Sequence, residues 1–597
     1  MATITGTGPE KNTVTRRGGA WILDETSAAD IFTPERLTDE HRMIARTAAD
    51  FIAQDVLPQL EKLEAKDWAL NRQLVQRAGE LGLLGTDAPE TYGGVDLDKV
   101  TSVIVAENIG HCASFGTTFG AMTGLSIMPL LGFGTDAQKQ KYLPGLVSGE
   151  IVGAYALSES GSGSDALGAR TRAMRQPDGS FLLSGEKMWI TNAGFADIFI
   201  TFAKVDGEHF TAFIVERAFP GVSNGREEHK LGLHGSSTAP LILQEARVPA
   251  ENLLGEIGKG HKVAFNVLNY GRFKLGAFAI GGAKTAMAEA AAYAAARKQF
   301  GKPIASFGAI KYKLAEMLAR IYAIESLLYR TAGSIDAAME ARGPKEDRSW
   351  LDAAEEFAVE CSIAKVMGSE VLDYVLDENV QIHGGNGYVQ DYPAERHYRD
   401  ARVNRIFEGT NEINRLLLAG MLMRRAVKGE LPLIPAAKQL QDELMSPSLE
   451  TPGDEPLEAE AFAIKGFKKV CLMLLGLGMQ TYGDKISEEQ EILSWTADVL
   501  IDTFAAESSL LRVRHALDAR VTDAGLHADT ARLFVNDAAS RIETAARQAL
   551  AAMAEGDTLR VSLAALRRLL RVTPINTVRI RRRLADAVVA RRGYIFA

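Results

Sequence analysis

Cysteine is scarce. Only Cys112, Cys361 and Cys471 occur in 597 residues, an odd and widely spaced set that offers neither a disulfide framework nor a zinc pattern, so a reducing compartment suits the chain. Long apolar runs are also missing, and without a stretch long enough to span a bilayer the expectation is a soluble protein of the cytoplasm. Positive charge is not in excess. The formal net charge of -9 argues against a general nucleic-acid binder, whose footprint is basic. The opening residues, MATITGTGPEKNTVTRRGG, lack an apolar core and predict a flexible arm over residues 1–33. His383 and His397 lack companion ligands, so no metal site is predicted. What is present is ordinary globular composition, 46% hydrophobic and 24% charged, with length for three or four domains.

Periodicity divides the chain. Residues 34–150 carry apolar side chains at helical spacing, as in DEHRMIARTAADFIAQDVLPQLEKLEAK, and predict an N-terminal helical domain. Between 151 and 256 the runs DIFITFAKV, HFTAFIVER and APLILQEARVP are short, β-rich and bounded by turn residues, which predicts an antiparallel β-domain. Helical spacing returns over 257–430, with alanine-rich stretches such as AKTAMAEAAAYAAARKQF suited to close packing. Prolines and acids in LPLIPAAKQLQDELMSPSLETPGDEPLE predict a linker over 431–458, and residues 459–597 are helical again. The expected class is α+β multidomain: an N-terminal α-helical domain, a middle antiparallel β-domain, an α-helical bundle domain and an additional C-terminal α-helical domain. No repeat of fixed period is evident.

Several separated stretches carry chemistry. In RIFEGTNEINRLLLAG, residues 405–420, the lone carboxylate of Glu408 stands between apolar residues and a glycine; Thr410 or Asn411 can cap the helix that follows. A glutamate satisfied by backbone amides at a helix start is the plainer reading of that stretch alone. YALSESGSGSDALG, residues 155–168, offers glycines and backbone N–H groups that approach an anion closely, although its spacing is not that of a dinucleotide fingerprint and an ordinary turn is the plainer reading of that stretch alone. In GEKMWITNAG, Trp189 and Thr191 lie two apart on a strand and so share a face, suited to covering a flat ring and addressing one of its heteroatoms; a core tryptophan beside a strand threonine is the alternative. Arg297 and Phe300 in RKQFG, with the glycines of QIHGGNGY, can hold the charged and aromatic parts of a nucleotide.

Read jointly, S-E-S-G-S-G-S-D, W-I-T-N, R-K-Q-F-G, Q-I-H-G-G-N-G-Y, R-D and F-E-G-T-N-E-I occur in the order found in the acyl-CoA dehydrogenase family of flavoproteins, which the chain resembles over residues 38–430. The helical extension and the L-N-Y-G-R-F segment at 268–273 resemble the very-long-chain branch. The resemblance implies noncovalent FAD, a fatty acyl-CoA substrate and Glu408 as the base that takes the α-proton while a hydride leaves the β-carbon. It implies flavin contacts from Tyr155, Leu157, Ser158, Ser164, Trp189 and Thr191. Arg297, Phe300, Gln381, Gly385, Thr410 and Glu412 are implied for the adenosine diphosphate half, partly across a homodimer interface; the family often has Gln where Glu412 stands. Ser164, Asn269, Arg272, Phe407 and Gly409 fall on substrate-side positions, with the Glu408 N–H as one donor to the thioester oxygen.

The helix FGTTFGAMTGLSIM puts Thr117, Gly120, Ala121 and Gly124 on one face, leaving room for a long acyl tail or serving close helix packing. Desolvation by Ile406, Phe407 and the acyl chain is expected to raise the basicity of Glu408, while the N-terminus of the following helix and the bound cofactor oppose the rise. An electron-transfer flavoprotein is the implied electron acceptor. The arginine-rich end, from Arg567 to Arg592, reads as an intramolecular ion-pair surface, a peripheral membrane contact at the inner face of the membrane, or a nucleic-acid patch. Rival readings on the same scaffold are a DNA-binding adaptive-response flavoprotein, an acyl-CoA oxidase that uses oxygen and a noncatalytic assembly scaffold.

Overall fold

The computed structural model describes residues 17–342, 349–446 and 451–596. Seven helices come first: α1 Asp39–Phe51, α2 Leu60–Glu64, α3 Trp68–Glu80, α4 Lys99–Ile109, α5 Ala113–Met122, α6 Met128–Phe133 and α7 Asp136–Ser148. Thr38 caps α1, and Asp98 caps α4 by accepting from the Thr101 N–H at 2.7 Å. A π-helical stretch, Thr123–Ile127, joins α5 to α6 and turns Gly124 into open space, where an added Cβ would meet no atom within 4 Å.

The strands follow: β1 Gly153–Ala156, β2 Arg172–Arg175, β3 Phe181–Thr191, β4 Ile198–Val205, β5 His209–Glu216, β6 Val222–Asn224, β7 Thr238–Val248 and β8 Leu253–Leu254. Their order is β6-β7-β3-β2-β4-β5-β8, with β1 added onto β4. The predicted antiparallel sheet is in fact mixed, because both β1 and β2 run parallel to β4. Alternation locates strands but not their partners. β3 is bulged against β7 between Lys187 and Ile190, and Trp189 in the bulge has a φ of 58°.

Helix α8 Gly260–Ala296 is the axis of the next layer. After it come the short pair β9 Lys298–Gln299 and β10 Lys302–Pro303, then α9 Gly308–Ala341, α10 Ser349–Glu356, α11 Ala358–His383, α12 Ala394–Ala401 and α13 Asn411–Val427. Thr410 caps α13, accepting from the Ile413 N–H at 3.2 Å. The extension consists of α14 Leu433–Met445, α15 Glu458–Tyr482, α16 Gln490–Asp518, α17 Ala524–Met553, α18 Gly556–Leu569 and α19 Thr577–Arg591.

Two sequence expectations are corrected. The linker predicted for 431–458 contains α14, whose prolines stand at its start, where a helix tolerates them, and whose Leu433 and Leu440 are buried. The arm predicted for 1–33 is packed from residue 17 onward; residues 1–16 lie outside the described residues. Trp21, Ile22 and Ile31 are buried, and the Trp21 ring lies 4.9 Å from that of Phe504 in α16. Gly18 is required there, since a Cβ would stand 2.0 Å from the Glu356 carbonyl oxygen. Arg512 of α16, fully buried, bonds Glu35 at 2.7 Å and Glu325 of α9 at 2.6 Å, so one guanidinium ties the N-terminal segment, the bundle and the extension together. Among the described residues no helix is long and apolar enough to cross a membrane.

Candidate active site

Glu408 lies in a left-handed turn with a φ of 57°, followed by Gly409 at 78°. That conformation is costly for a residue with a Cβ, and it persists only where neighbours over-determine it. Here they do. Arg272 of α8 donates from Nε to the Glu408 carbonyl at 3.2 Å and is itself held by Asn269 Oδ1 at 2.9 Å. Lys365 of α11 donates to the Gly409 carbonyl at 2.7 Å and to Asn411 Oδ1 at 2.6 Å. Asn414 Nδ2 reaches the Gly409 and Thr410 carbonyls at 2.9 and 3.0 Å. The backbone of the turn is thus bonded from three directions, while Oε2 of the carboxyl is buried without a hydrogen-bond partner.

Burial dominates the electrostatics. It pushes the Glu408 carboxyl up to about 7, against the pull of Arg272 and Lys365. Burial also brings the Lys365 ammonium down to about 7, although Glu408 supports its charge. Of the residues expected to desolvate it, Ile406 is 53% exposed on the cleft wall and Phe407 is partly buried; the carboxyl also presses on α8 at Gly271. The charges that oppose the rise come from α8 and α11, as Arg272 and Lys365.

Two cavities meet at this carboxyl. The larger, about 1790 Å³, is a cleft lined by Tyr155, Leu157, Ser158, Ser164, Trp189, Thr191, Asn269, Arg272, Phe407, Glu408, Gly409 and Thr410. These are lining residues singled out from the sequence; Lys230, Phe265, Arg399, Asp400 and Arg424 line the cleft as well. The smaller, about 140 Å³, is a tunnel between α5 and α8 that shares Thr117, Ala121, Leu125, Thr191, Phe407 and Glu408 with the cleft. Gly120 and Gly124 line it, so the small-residue face of α5 borders a cavity at these positions. Lys274 also lines it, with its charge spent on buried Asp87 at 2.8 Å.

Arg297, Phe300, Gln381, Gly385 and Glu412 are not brought to the cleft of this single chain. All five are exposed, Phe300 to 92%, with its ring edge-on to that of Phe307. Glu159, within the S-E-S-G-S-G-S-D stretch, faces inward and pairs with fully buried Lys187 at 2.7 Å. Sequence reasoning missed Lys365, Asn414, Gly271 and Phe278. Lys365 left a faint signal, a single lysine within the apolar run CSIAKVMG.

A base of raised pKa at the junction of a large cleft and a narrow tunnel defines an enzyme site suited to taking a proton from a carbon acid. Comparison with known proteins agrees. "Acyl-CoA dehydrogenase, N-terminal domain" matches residues 38–150, the middle domain 154–246, and two C-terminal domain descriptions match 258–423 and 466–568. A probable acyl-CoA dehydrogenase of Bacillus subtilis (strain 168) is 48% identical over 584 residues, 97% of this chain and 98% of that one. The human very long-chain specific enzyme is 41% identical over 371 residues, 60% of this chain and 53% of its own. The short-chain specific enzyme of Megasphaera elsdenii is 39% identical over 396 residues, 65% and 99%. Among solved structures, an acyl-CoA dehydrogenase from Bacillus anthracis complexed with FAD superposes with a TM-score of 0.95 at 48% identity, covering 97% of this chain and all of that one. The chain belongs to the acyl-CoA dehydrogenase family and is an FAD-dependent oxidoreductase.

The residues present fit FAD. The Tyr155 hydroxyl is buried in the cleft wall without a partner, and burial, then the charge of Glu408, holds it well above the ordinary phenol range. Trp189 leaves 57% of its surface open over the cleft. Added Cβ atoms at Gly161 and Gly163 would meet nothing within 4 Å, which leaves the rim free for a bulky group.

Proposed function

We propose that this chain desaturates a long-chain fatty acyl-CoA to the trans-2-enoyl-CoA, as the first oxidation of a fatty acid β-oxidation cycle. The observation that carries the reading is the buried, unpartnered Oε2 of Glu408 at the junction of cleft and tunnel. Tyr155, Leu157, Ser158, Ser164, Trp189 and Thr191 would hold FAD, which supplies the two-electron acceptor for the hydride leaving C3.

Glu408 removes the C2 proton, and desolvation makes it a better base for that step. Arg272 and Lys365 fix the turn so that the carboxyl is aimed before substrate arrives. The Glu408 N–H would donate to the thioester oxygen, an interaction of a kind whose loss costs about 10²–10³ in rate. Asn269 steadies Arg272, and Phe407 and Gly409 shape the thioester's side of the cleft.

A long tail is favoured by the course of the tunnel, whose α8 face runs from Gly271 to Thr285 over four turns, about 21 Å, with the Phe278 ring standing about halfway along it. A homodimer is proposed because Arg297, Phe300, Gln381 and Gly385 are exposed and would complete the adenosine diphosphate site of a second copy. The electron-transfer flavoprotein is the proposed acceptor, in the cytoplasm. A peripheral membrane contact is proposed at the end of the extension, where Val561, Ile575 and Val578 are exposed, as are Arg567, Arg579 and Arg582. Much of the basic cluster is otherwise engaged: Arg581 with Glu316 at 2.6 Å, Arg583 with Asp529 at 2.9 Å, and Arg591 with Asp523.

The test is anaerobic titration of the yellow protein with acyl-CoA thioesters. Wild type should bleach, and Glu408→Gln should keep its flavin and bind a product-like thioester yet stay oxidised. Near-normal reduction of that variant would remove Glu408 from the role, a turnover profile peaking on butyryl-CoA would remove the long-chain assignment, and stoichiometric peroxide in air would favour oxygen as acceptor.

A further inference from the structure

The tail tunnel is not uniform along its length. One face of α8 lines it from Gly271 through Leu275, Phe278, Ala279 and Gly282 to Thr285, and α5 faces it with Gly116, Gly120 and, just beyond α5, Gly124. Phe278 is the only aromatic side chain on this α8 face. Its ring reaches across to α5: Cβ atoms added at Gly116 and Gly120 would stand 3.6 Å from its Cδ1 and 3.3 Å from its Cε2. The ring therefore spans the gap between the two helices where α5 has no side chains, and Phe119 backs it at 6.5 Å between centroids. Cavity continues beyond it, past Gly110, His111, Gly282 and Leu372, to Thr285.

The level of the ring can be expressed in carbons. Gly271 touches the carboxyl of Glu408 and so marks the reacting methylenes. Phe278 lies two helical turns further on, about 10 Å, which an extended chain covers in about nine bonds, so the ring stands near the eleventh or twelfth carbon. We propose that Phe278 is the chain-length determinant of this enzyme, a crossbar that separates a proximal chamber from a distal one and that longer acyl chains must displace. The proposal rests on the acyl-CoA dehydrogenase reading above.

Each methylene entering an apolar tunnel strengthens binding about fourfold. In wild type that gain should persist from eight to about eleven carbons and then stop, because further methylenes enter only at the cost of moving a packed ring. In Phe278→Ala the gain should continue to sixteen or eighteen carbons, raising kcat/KM for a C16 relative to a C8 thioester at least tenfold. A distal plug tests where the tail goes: Gly282→Leu, at a position where an added Cβ would stand 3.2 Å from Leu372 Cδ1, should return the ratio toward wild type in the Phe278→Ala background. The readouts are the anaerobic bleaching titration and kcat/KM over a C4–C18 series, with bound flavin and melting temperature reporting the fold. Equal slopes per methylene in wild type and Phe278→Ala, or a C16 to C8 ratio that Gly282→Leu leaves high, would overturn the role of Phe278. Failure of every thioester to bleach wild type would instead strike the dehydrogenase reading itself.

Discussion

The carboxyl of Glu408 lies against the backbone of α8 at Gly271, so closely that a Cβ added there would stand 2.6 Å from Oε2. Helix α8 gives up a side chain at the one point where the base needs its surface. Gly271→Ala should therefore have effects of opposite sign. Alanine favours the helix by up to about 1 kcal/mol, yet the displaced carboxyl should slow bleaching by about 10²-fold. Stopped-flow reduction beside a melting curve checks both, and an unaltered rate would show that the contact is irrelevant to chemistry.

The raised pKa of Glu408 fixes the direction of two pH dependences. The base must be ionised, so kcat/KM for bleaching should rise with pH and level off above about 7. Stability runs the other way. With a folded pKa near 7 and an ordinary value near 4.5, the folded state holds the proton more tightly, so this group's contribution is intact below about pH 4.5 and is lost by about pH 7. Glu408→Gln should flatten that part of the stability profile, which thermal melts across pH 4 to 8 would reveal.

Lys365 anchors the turn and also faces the base. Lys365→Met removes a cation that favours the carboxylate, so the bleaching profile should move to higher pH, by about one unit. The lost bonds to Gly409 and Asn411 should also cost about 1–3 kcal/mol of stability. A fall in stability with an unmoved pH profile would make Lys365 a structural residue only.

Arg512→Leu should destabilise the protein by about 3–5 kcal/mol, because Glu35 and Glu325 would remain buried without their partner. Chemical denaturation of the holoprotein measures this. A small loss would mean that the extension is docked by its apolar surface alone.

Much of the site was legible because its residues break local rules. Glu408 is a charge in an apolar, glycine-flanked turn, Trp189 an aromatic beside a strand end, and Thr410 a cap ahead of an apolar stripe. Pairing was not legible: nothing in β1 or β2 announces that each runs parallel to β4. The linker reading failed because Pro432 and Pro435 look the same whether they break a helix or begin one. Gly271 and Lys365 matter through residues more than forty positions away in sequence, a relation that periodicity does not carry. Arg297, Phe300, Gln381 and Gly385 are joined only by the family resemblance, since in one chain they are exposed and lie outside its cleft.

Of the five tryptophans, Trp21 and Trp350 are buried, Trp68 and Trp495 are partly covered, and Trp189 alone stands open. Its indole emission should be red-shifted in the cofactor-free protein and extinguished when an isoalloxazine lies over it. With Trp189 covering the flavin as proposed, the molecule would carry its own optical gauge of occupancy, readable without substrate or label.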